Sequence, residues 1–442
     1  MRLEVWMDNA FMGWLAHDIH ANQYAFEYSS DWLNRTDAFA LCPSLPLIPI
    51  AHSTEAHSRA VRTFFENLLP EGQALDDVSI LCAVSKTSVL GLLAVIGGES
   101  AGALRIVPPD QAQPAVSSLR PVPWEELSER IQKRREQAFS IWDQKVRLSI
   151  AGYQDKLAVH ETAPGEWALA DGPALASTHI LKPDPLNPQL AGLTSNEFYC
   201  MRLAQAAGLA VAPVTLWHIP EPVLLIERFD RLRLHTGAIQ RQPVIDGCQA
   251  LGLAVAAKYE RPHGDGRDVR EYRAGASLPK LFEVLKCSAR PALERLALLR
   301  WVIFQVLISN TDAHAKNLSF KTGPGGLSLA PAYDLVCAHP YADLNLADTY
   351  AMAIGDAFDP AALCAYEWAN FAKQADIPVR LLQHELTRLI KQTTQARQHI
   401  GAIAVNEGAE ARVVHAISEH IGKQCKQLSN MVQGIAEMWA YV

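Results

Sequence analysis

Ser309-Asn310-Thr311-Asp312-Ala313-His314-Ala315-Lys316-Asn317-Leu318-Ser319-Phe320 closes an apolar segment of helical period, Leu296 to Ser309. Asp312 and Asn317 stand five residues apart in it. Kinase-type phosphoryl-transfer enzymes use a D-x-x-x-x-N loop, in which the aspartate accepts the proton of the attacking hydroxyl and the asparagine carbonyl oxygen holds magnesium. The chain then runs through Leu318 to Phe320, a Thr322-Gly323-Pro324-Gly325-Gly326 turn and Leu327 to Ala330 to reach Tyr333-Asp334. A hairpin there returns Asp334 beside Asn317. Magnesium takes hard oxygen donors and often only one or two protein carboxylates, so Asn317 and Asp334 suffice. Singly, each polar residue has a plainer role, with Asp312 capping a turn, Asn317 bonding its own backbone and Asp334 ending a strand. The order of the set favours phosphoryl transfer.

A nucleotide clamp belongs upstream. Ser149-Ile150-Ala151-Gly152-Tyr153-Gln154-Asp155-Lys156 lies between two expected strands, where backbone amides can cradle phosphate oxygens. With one glycine it matches neither G-x-G-x-x-G nor the Walker pattern, and alone it also reads as an ordinary β-turn. Lys182, on an expected strand ahead of a helix bearing Glu197, has the order of a phosphate-contacting lysine steadied by a helical carboxylate. Thr194-Ser195-Asn196-Glu197 equally fits a capping box, in which Glu197 serves only backbone donors. Glu227-Arg228-Phe229-Asp230-Arg231 follows an apolar strand where strand-rich sequence gives way to helical sequence. A hinge there offers backbone groups and an aromatic wall to adenine; a charged strand end is the alternative. His314 and Lys316 are placed to donate to phosphate oxygens, although a lone loop histidine is usually just solvated. Lys391, Arg397, Lys423 and Lys426 read as solvated helix faces.

At 442 residues the chain exceeds one small domain, and about three units of ~150 residues are expected. Hydrophobic residues at 49% against 20% charged residues argue for a compact protein. Lys and Arg number 40 against 47 Asp and Glu, and the net charge of −7 excludes a global field that draws in nucleic acid or anionic lipid. Any DNA contact is then local or supplied by a partner. Apolar runs such as Val89 to Ile96 and Ala250 to Ala257 fall short of the ~20 residues that cross a bilayer, and the opening residues lack a signal-peptide pattern. A soluble, cytoplasmic protein without membrane contact is expected. The 8 cysteines contain no C-x-x-C pair, suit a reducing compartment and are expected as buried thiols.

Residues 1–106 mix β-like stretches (Leu3 to Trp6, Tyr24 to Tyr28, Gly102 to Ile106) with a helix around Ala60 to Leu69. Residues 107–123, rich in proline, glutamine and serine, read as a linker. The unit 124–240 opens with a charged helix, Glu125 to Gln137. Its expected strands are Val146 to Ile150, Leu157 to His160, Trp167 to Ala170, His179 to Lys182, Val214 to Trp217 and Val223 to Glu227, with one helix, Asn196 to Ala207, stopped at Gly208. Over 241–442 the helical period dominates, at Leu281 to Leu285, Ala292 to Ser309, Arg380 to His399 and, with breaks, Ala411 to Trp439. The fold class expected is α+β.

Taken together these segments closely resemble the HipA family of bacterial serine/threonine kinase toxins. The likeness includes Ser44-Leu45-Pro46-Leu47, Phe64-Phe65-Glu66-Asn67-Leu68-Leu69-Pro70, Ser149 to Lys156, Thr178 to Lys182, Asn196-Glu197-Phe198-Tyr199, Glu227 to Arg231, Cys248-Gln249 with Gly252, Lys258-Tyr259-Glu260, Asp312 to Asn317 and Tyr333-Asp334. The resemblance implies a kinase-like two-lobe fold with an N-terminal β-rich subdomain, a nucleotide-binding N-lobe and a mostly helical C-lobe. It implies Asp312 as catalytic base and Asn317 and Asp334 as magnesium ligands. Lys182 becomes a phosphate contact, Ala151, Gly152, Tyr153, Gln154, Asp155 and Lys156 the phosphate loop, and Glu227, Arg228 and Phe229 the adenine hinge. His314, Lys316 and Tyr333 join the nucleotide contacts, with ATP and Mg2+ as cofactors. Ser149 stands where family members can phosphorylate themselves, a modification that in the family ejects the loop and silences the enzyme. The implied partners are a helix-turn-helix, HipB-like antitoxin, through which operator DNA is held, and a protein substrate. Family targets include an aminoacyl-tRNA synthetase, whose modification arrests growth. Tyr153 and Asp155 depart from the commonest family residues at their positions, whereas Gln154 and Lys156 are retained.

Two other functions stay open at this point. A small-molecule kinase of the aminoglycoside or lipid type shares the D-x-x-x-x-N loop and later Asp. A catalytically silent co-repressor needs none of them, and retention of every proposed catalytic side chain argues against it.

Overall fold

The computed structural model describes residues 1–48, 53–111, 117–147, 154–172, 174–344 and 348–442. Buried Leu3, Val5 and Met7 alternate along Arg2–Met7, which gives a strand with one face turned to a core. The strand lies between Ala10–Asp18 and Leu104–Val107 in an antiparallel four-stranded sheet edged by Gln23–Tyr28. The helix Thr54–Glu66, capped by the Ser53 side chain, lays Val61, Phe64 and Phe65 on this sheet, with the Phe65 ring 5.8 Å from that of Phe26. Helices Gly72–Cys82 and Val89–Ile96 complete the subdomain.

The second unit is a six-stranded sheet in the order Val214–His218, Pro222–Glu227, His179–Pro183, Leu157–Ala163, Glu166–Asp171, Ser118–Val122. Every neighbouring pair is antiparallel. Ser118–Val122, inside the expected linker, is thus the edge strand, paired to Glu166–Asp171. Pro121 misled the sequence reading, but a strand with one unpaired side tolerates a residue without an N–H. The charged helix is shorter than expected, Trp124–Gln132. One face of the sheet closes over Leu157, Leu169, Leu181 and Val223 together with Trp142 and Trp167. Behind the other lies the helix Leu193–Ala206, with Phe198, Tyr199 and Leu203 buried.

The C-terminal part is built around Pro291–Leu307, whose residues from Leu298 to Leu307 are buried on nearly every side except at Arg300. Val379–Asn406 and Ala411–Val432 pack beside it, and Arg300 and Arg388 hold the buried Glu385 down at about 2 against its desolvation. The 17-residue helix delivers the chain into the Asp312 loop, after which Ser319–Lys321 pairs with Val244–Asp246 and Ser328–Leu329. Cysteines 42, 200, 248, 337 and 425 are buried as expected, whereas Cys287 and Cys364 are exposed. Among the described residues no helix is long and apolar enough to cross a membrane.

The N-terminal subdomain touches both other units. On the sheet side, Asp230 accepts from the Gly102 amide at 2.7 Å, and Glu99 accepts from the Ser177 amide and hydroxyl. On the helical side, the Asn67 amide donates to Leu253 O at 2.9 Å, Gln249 donates to Phe64 O and Glu71 meets Lys258.

Candidate active site

The loop after the long helix is ordered by its own polar residues. Asn310 accepts from the Asp312 amide at 3.1 Å, and the Asn317 side-chain N–H donates to the Asp312 carbonyl at 3.0 Å. That bond occupies the amide nitrogen of Asn317 and leaves its carbonyl oxygen as an acceptor. The Asp312 carboxylate is exposed, and Tyr259 donates to its Oδ1 at 2.6 Å. His314 is buried, its ring edge-on to Tyr259, and burial holds its imidazole below the usual range. Its Nδ1 meets no hydrogen-bond partner among the described residues.

Asp334 has a left-handed backbone, φ 56°. Such a conformation costs a non-glycine residue ~1–3 kcal/mol and is held only where surrounding structure imposes it. Lys182 Nζ donates to Asp334 Oδ1 at 2.9 Å and to both Glu197 oxygens at 2.9 Å. Burial works against the Lys182 charge, but Asp334 and Glu197 outweigh it and hold the ammonium well above its ordinary range. Asp334 in turn is held low: burial pushes it up, and Lys182 and Lys156 pull it further down. Glu197 serves this ion pair and no capping box. The helix begins at Gly192, and Asp184 accepts from the Gly192 and Thr194 amides at 2.8 and 2.9 Å.

The autophosphorylation candidate Ser149 and the phosphate-loop residues Ala151, Gly152 and Tyr153 lie outside the described residues. The Gln154 side-chain nitrogen is buried without a partner among the described residues, and Asp155 faces Arg134 at 3.7 Å. Lys156 is buried; desolvation and the neighbouring Lys182 charge push it down to about 8.

At the hinge, the Glu227 amide donates to Pro213 O and the Arg228 amide to Thr178 O, both at 2.9 Å. Pro213 has no N–H to return to the Glu227 carbonyl. Phe229 stacks on Tyr333, centroids 5.6 Å apart and planes at 27°, and the Tyr333 hydroxyl is fixed by Ser319 and Lys316 O. The Arg228 side chain is buried against Asp230, Ser177 and the Ser100 carbonyl, in contact with the N-terminal subdomain, so any contact it makes at the hinge is through its backbone. One expectation needs correction. Lys316 does not reach the phosphate side, because its buried ammonium is taken by Asp246 at 2.7 Å and by Asn67 O and Oδ1. Tyr259 and Glu71 were given no role from sequence. The only signal was the polar trio Lys258-Tyr259-Glu260 after a small-residue run.

Among the described residues no three His, Cys, Asp or Glu side chains group around a metal position. One carboxylate, Asp334, and one amide oxygen, Asn317, are the donor set a magnesium ion shared with phosphates requires. The residues therefore fit that group.

Known proteins resemble this chain over most of its length. The family model described as the HipA N-terminal domain matches residues 3–107, and the HipA-like C-terminal domain matches 148–400. A serine/threonine-protein kinase toxin HipA of Shewanella oneidensis is 37% identical over 90% of this chain and 88% of its own. The chain belongs to the HipA family. A putative kinase of Sinorhizobium fredii is 34% identical over 89% of this chain and 90% of its own. The solved structure of Shewanella oneidensis HipA with HipB and its operator DNA superposes with a TM-score of 0.86, at 34% identity, over 98% of this chain and 99% of that one. The two-lobed α+β fold and the serine/threonine kinase class expected from sequence are those of this HipA-family chain.

Proposed function

We propose that this kinase transfers the γ-phosphoryl group of ATP, with magnesium, to a serine or threonine hydroxyl of a protein, and that it is the toxin of a toxin-antitoxin pair. The observation that carries the reading is the convergence of Lys182 on Glu197 and Asp334, next to a loop in which Asn317 fixes Asp312. Adenine would lie against Phe229, its amino group donating to the Glu227 carbonyl. Lys182 and Lys156 would neutralise phosphate oxygens, and His314 would donate to one of them. Asn317 and Asp334 would hold magnesium, which would supply positive charge to the phosphates. Asp312 would take the proton of the attacking hydroxyl. Little covalent help is needed, so positioning and charge account for most of the acceleration.

The likeness to a HipA solved with HipB and operator DNA supports a HipB-like helix-turn-helix antitoxin as partner, with DNA reached mainly through it. The family resemblance supports a translation component such as an aminoacyl-tRNA synthetase as substrate, growth arrest as the outcome, and autophosphorylation at Ser149. The phosphoproteomes of cells expressing the wild type and Asp312→Asn at equal levels test this. Phosphoserine or phosphothreonine confined to the wild type is expected on a protein target. Label only in the soluble metabolite fraction would favour a small-molecule kinase, and no transfer alongside tight antitoxin binding would favour a silent co-repressor.

A further inference from the structure

Tyr259 enters the site from a segment to which no catalytic step has been assigned. Its hydroxyl donates to Asp312 Oδ1 at 2.6 Å, in the range of a charge-assisted bond. Its ring meets that of His314 edge-on, centroids 5.1 Å apart at 89°. The backbone on either side is tied to the catalytic loop. The Ala315 amide donates to Lys258 O at 3.1 Å; the Glu260 amide donates to Ala351 O at 2.9 Å, and the Ala351 amide donates to Thr311 O at 2.9 Å. Gly275 lies so near that a Cβ there would sit 1.8 Å from the Tyr259 carbonyl oxygen, and its amide donates to Glu260 O at 3.1 Å, so the two segments pack backbone to backbone. From the N-terminal subdomain, Glu71 grips the buried Lys258 ammonium at 2.7 Å.

We infer that Tyr259 is a positioning residue for the transfer step. Asp312 is exposed and its carboxylate would otherwise turn about its own side-chain bonds. With Oδ1 held by a fixed hydroxyl, Oδ2 is presented in one orientation to the incoming substrate hydroxyl. The Glu71–Lys258 pair carries this order in from the N-terminal subdomain. The inference rests on Asp312 being the base.

Tyr259→Phe keeps the ring against His314 and removes only the donor. The expected result is a kcat lower by ~10- to 100-fold, the scale on which a misplaced reacting group is felt, with the ATP dissociation constant and thermal midpoint unchanged. In an Asp312→Asn background the same change should add no further loss, since residues acting as one unit are not additive. Glu71→Gln should lower kcat several-fold through the same segment, and an unchanged kcat there would overturn the subdomain's part. Wild-type or faster turnover in Tyr259→Phe, or a double variant whose loss is the product of the single losses, overturns the inference and leaves the base assignment standing. Wild-type turnover in Asp312→Asn would instead overturn the base assignment.

Discussion

Glu197→Gln probes the centre of the site by removing one charge. Lys182 Nζ lies 2.9 Å from both Glu197 oxygens and from Asp334 Oδ1. The Glu197 side chain is 1% exposed. Truncating one partner of a buried pair costs ~3–5 kcal/mol, because the other charge is left without compensation. Glutamine retains one acceptor oxygen, so ~3 kcal/mol, the lower end of that range, is expected. Lys182 would then turn towards Asp334 and away from the phosphates. If the transition state bears ~3 kcal/mol of this loss, at 1.36 kcal/mol per tenfold, kcat/KM for ATP falls roughly 100-fold. Steady-state transfer of γ-labelled phosphate, with urea unfolding of the same preparations, measures both consequences. Turnover close to wild type with an unchanged unfolding midpoint would refute the reasoning and reduce Glu197 to an ordinary helix residue.

Lys156, at about 8 in the free protein, is charged below that pH and neutral above it. A triphosphate favours the charged form, so ATP affinity should fall by up to roughly tenfold per pH unit above about pH 8, a limb that calorimetry should find flattened in Lys156→Met. Asp230→Asn removes the carboxylate bonded to the buried Arg228, with Glu99 still 3.7 Å away, and should weaken docking of the N-terminal subdomain by ~3 kcal/mol, read as faster amide exchange around Gly102. Lys316→Met should lower the unfolding midpoint while leaving the ATP dissociation constant nearly unchanged, since its ammonium is bound to Asp246 and Asn67.

The placement of the candidate site's residues was legible where it follows from local order. Asp312, Asn317 and Asp334 sit on one loop and one hairpin, so their proximity is nearly a property of 23 consecutive residues. Lys182 and Glu197 were readable as a pair but not separable from a capping box, because the competing cap, Asp184, accepts from amides 8 and 10 residues ahead. What sequence did not yield was long-range. Lys316 is bound to Asn67, 249 positions away, and Tyr259 to Asp312, 53 away; no local pattern records either. The side-chain partners of Arg228 were hidden for the same reason, since its partner surface at Ser100 belongs to another subdomain. Pro121 hid an edge strand because proline is a breaker only where both sides of a strand are paired.

The central claim is that Asp312, Asn317, Asp334 and Lys182 surround the terminal phosphate of a magnesium-bound nucleotide. A crystal structure with magnesium and a non-hydrolysable ATP analogue tests it most directly. The account predicts the cation in contact with Asn317 and Asp334, and the γ-phosphate between Lys182 and Asp312. An analogue seated elsewhere, or a cation held by other side chains, would contradict it.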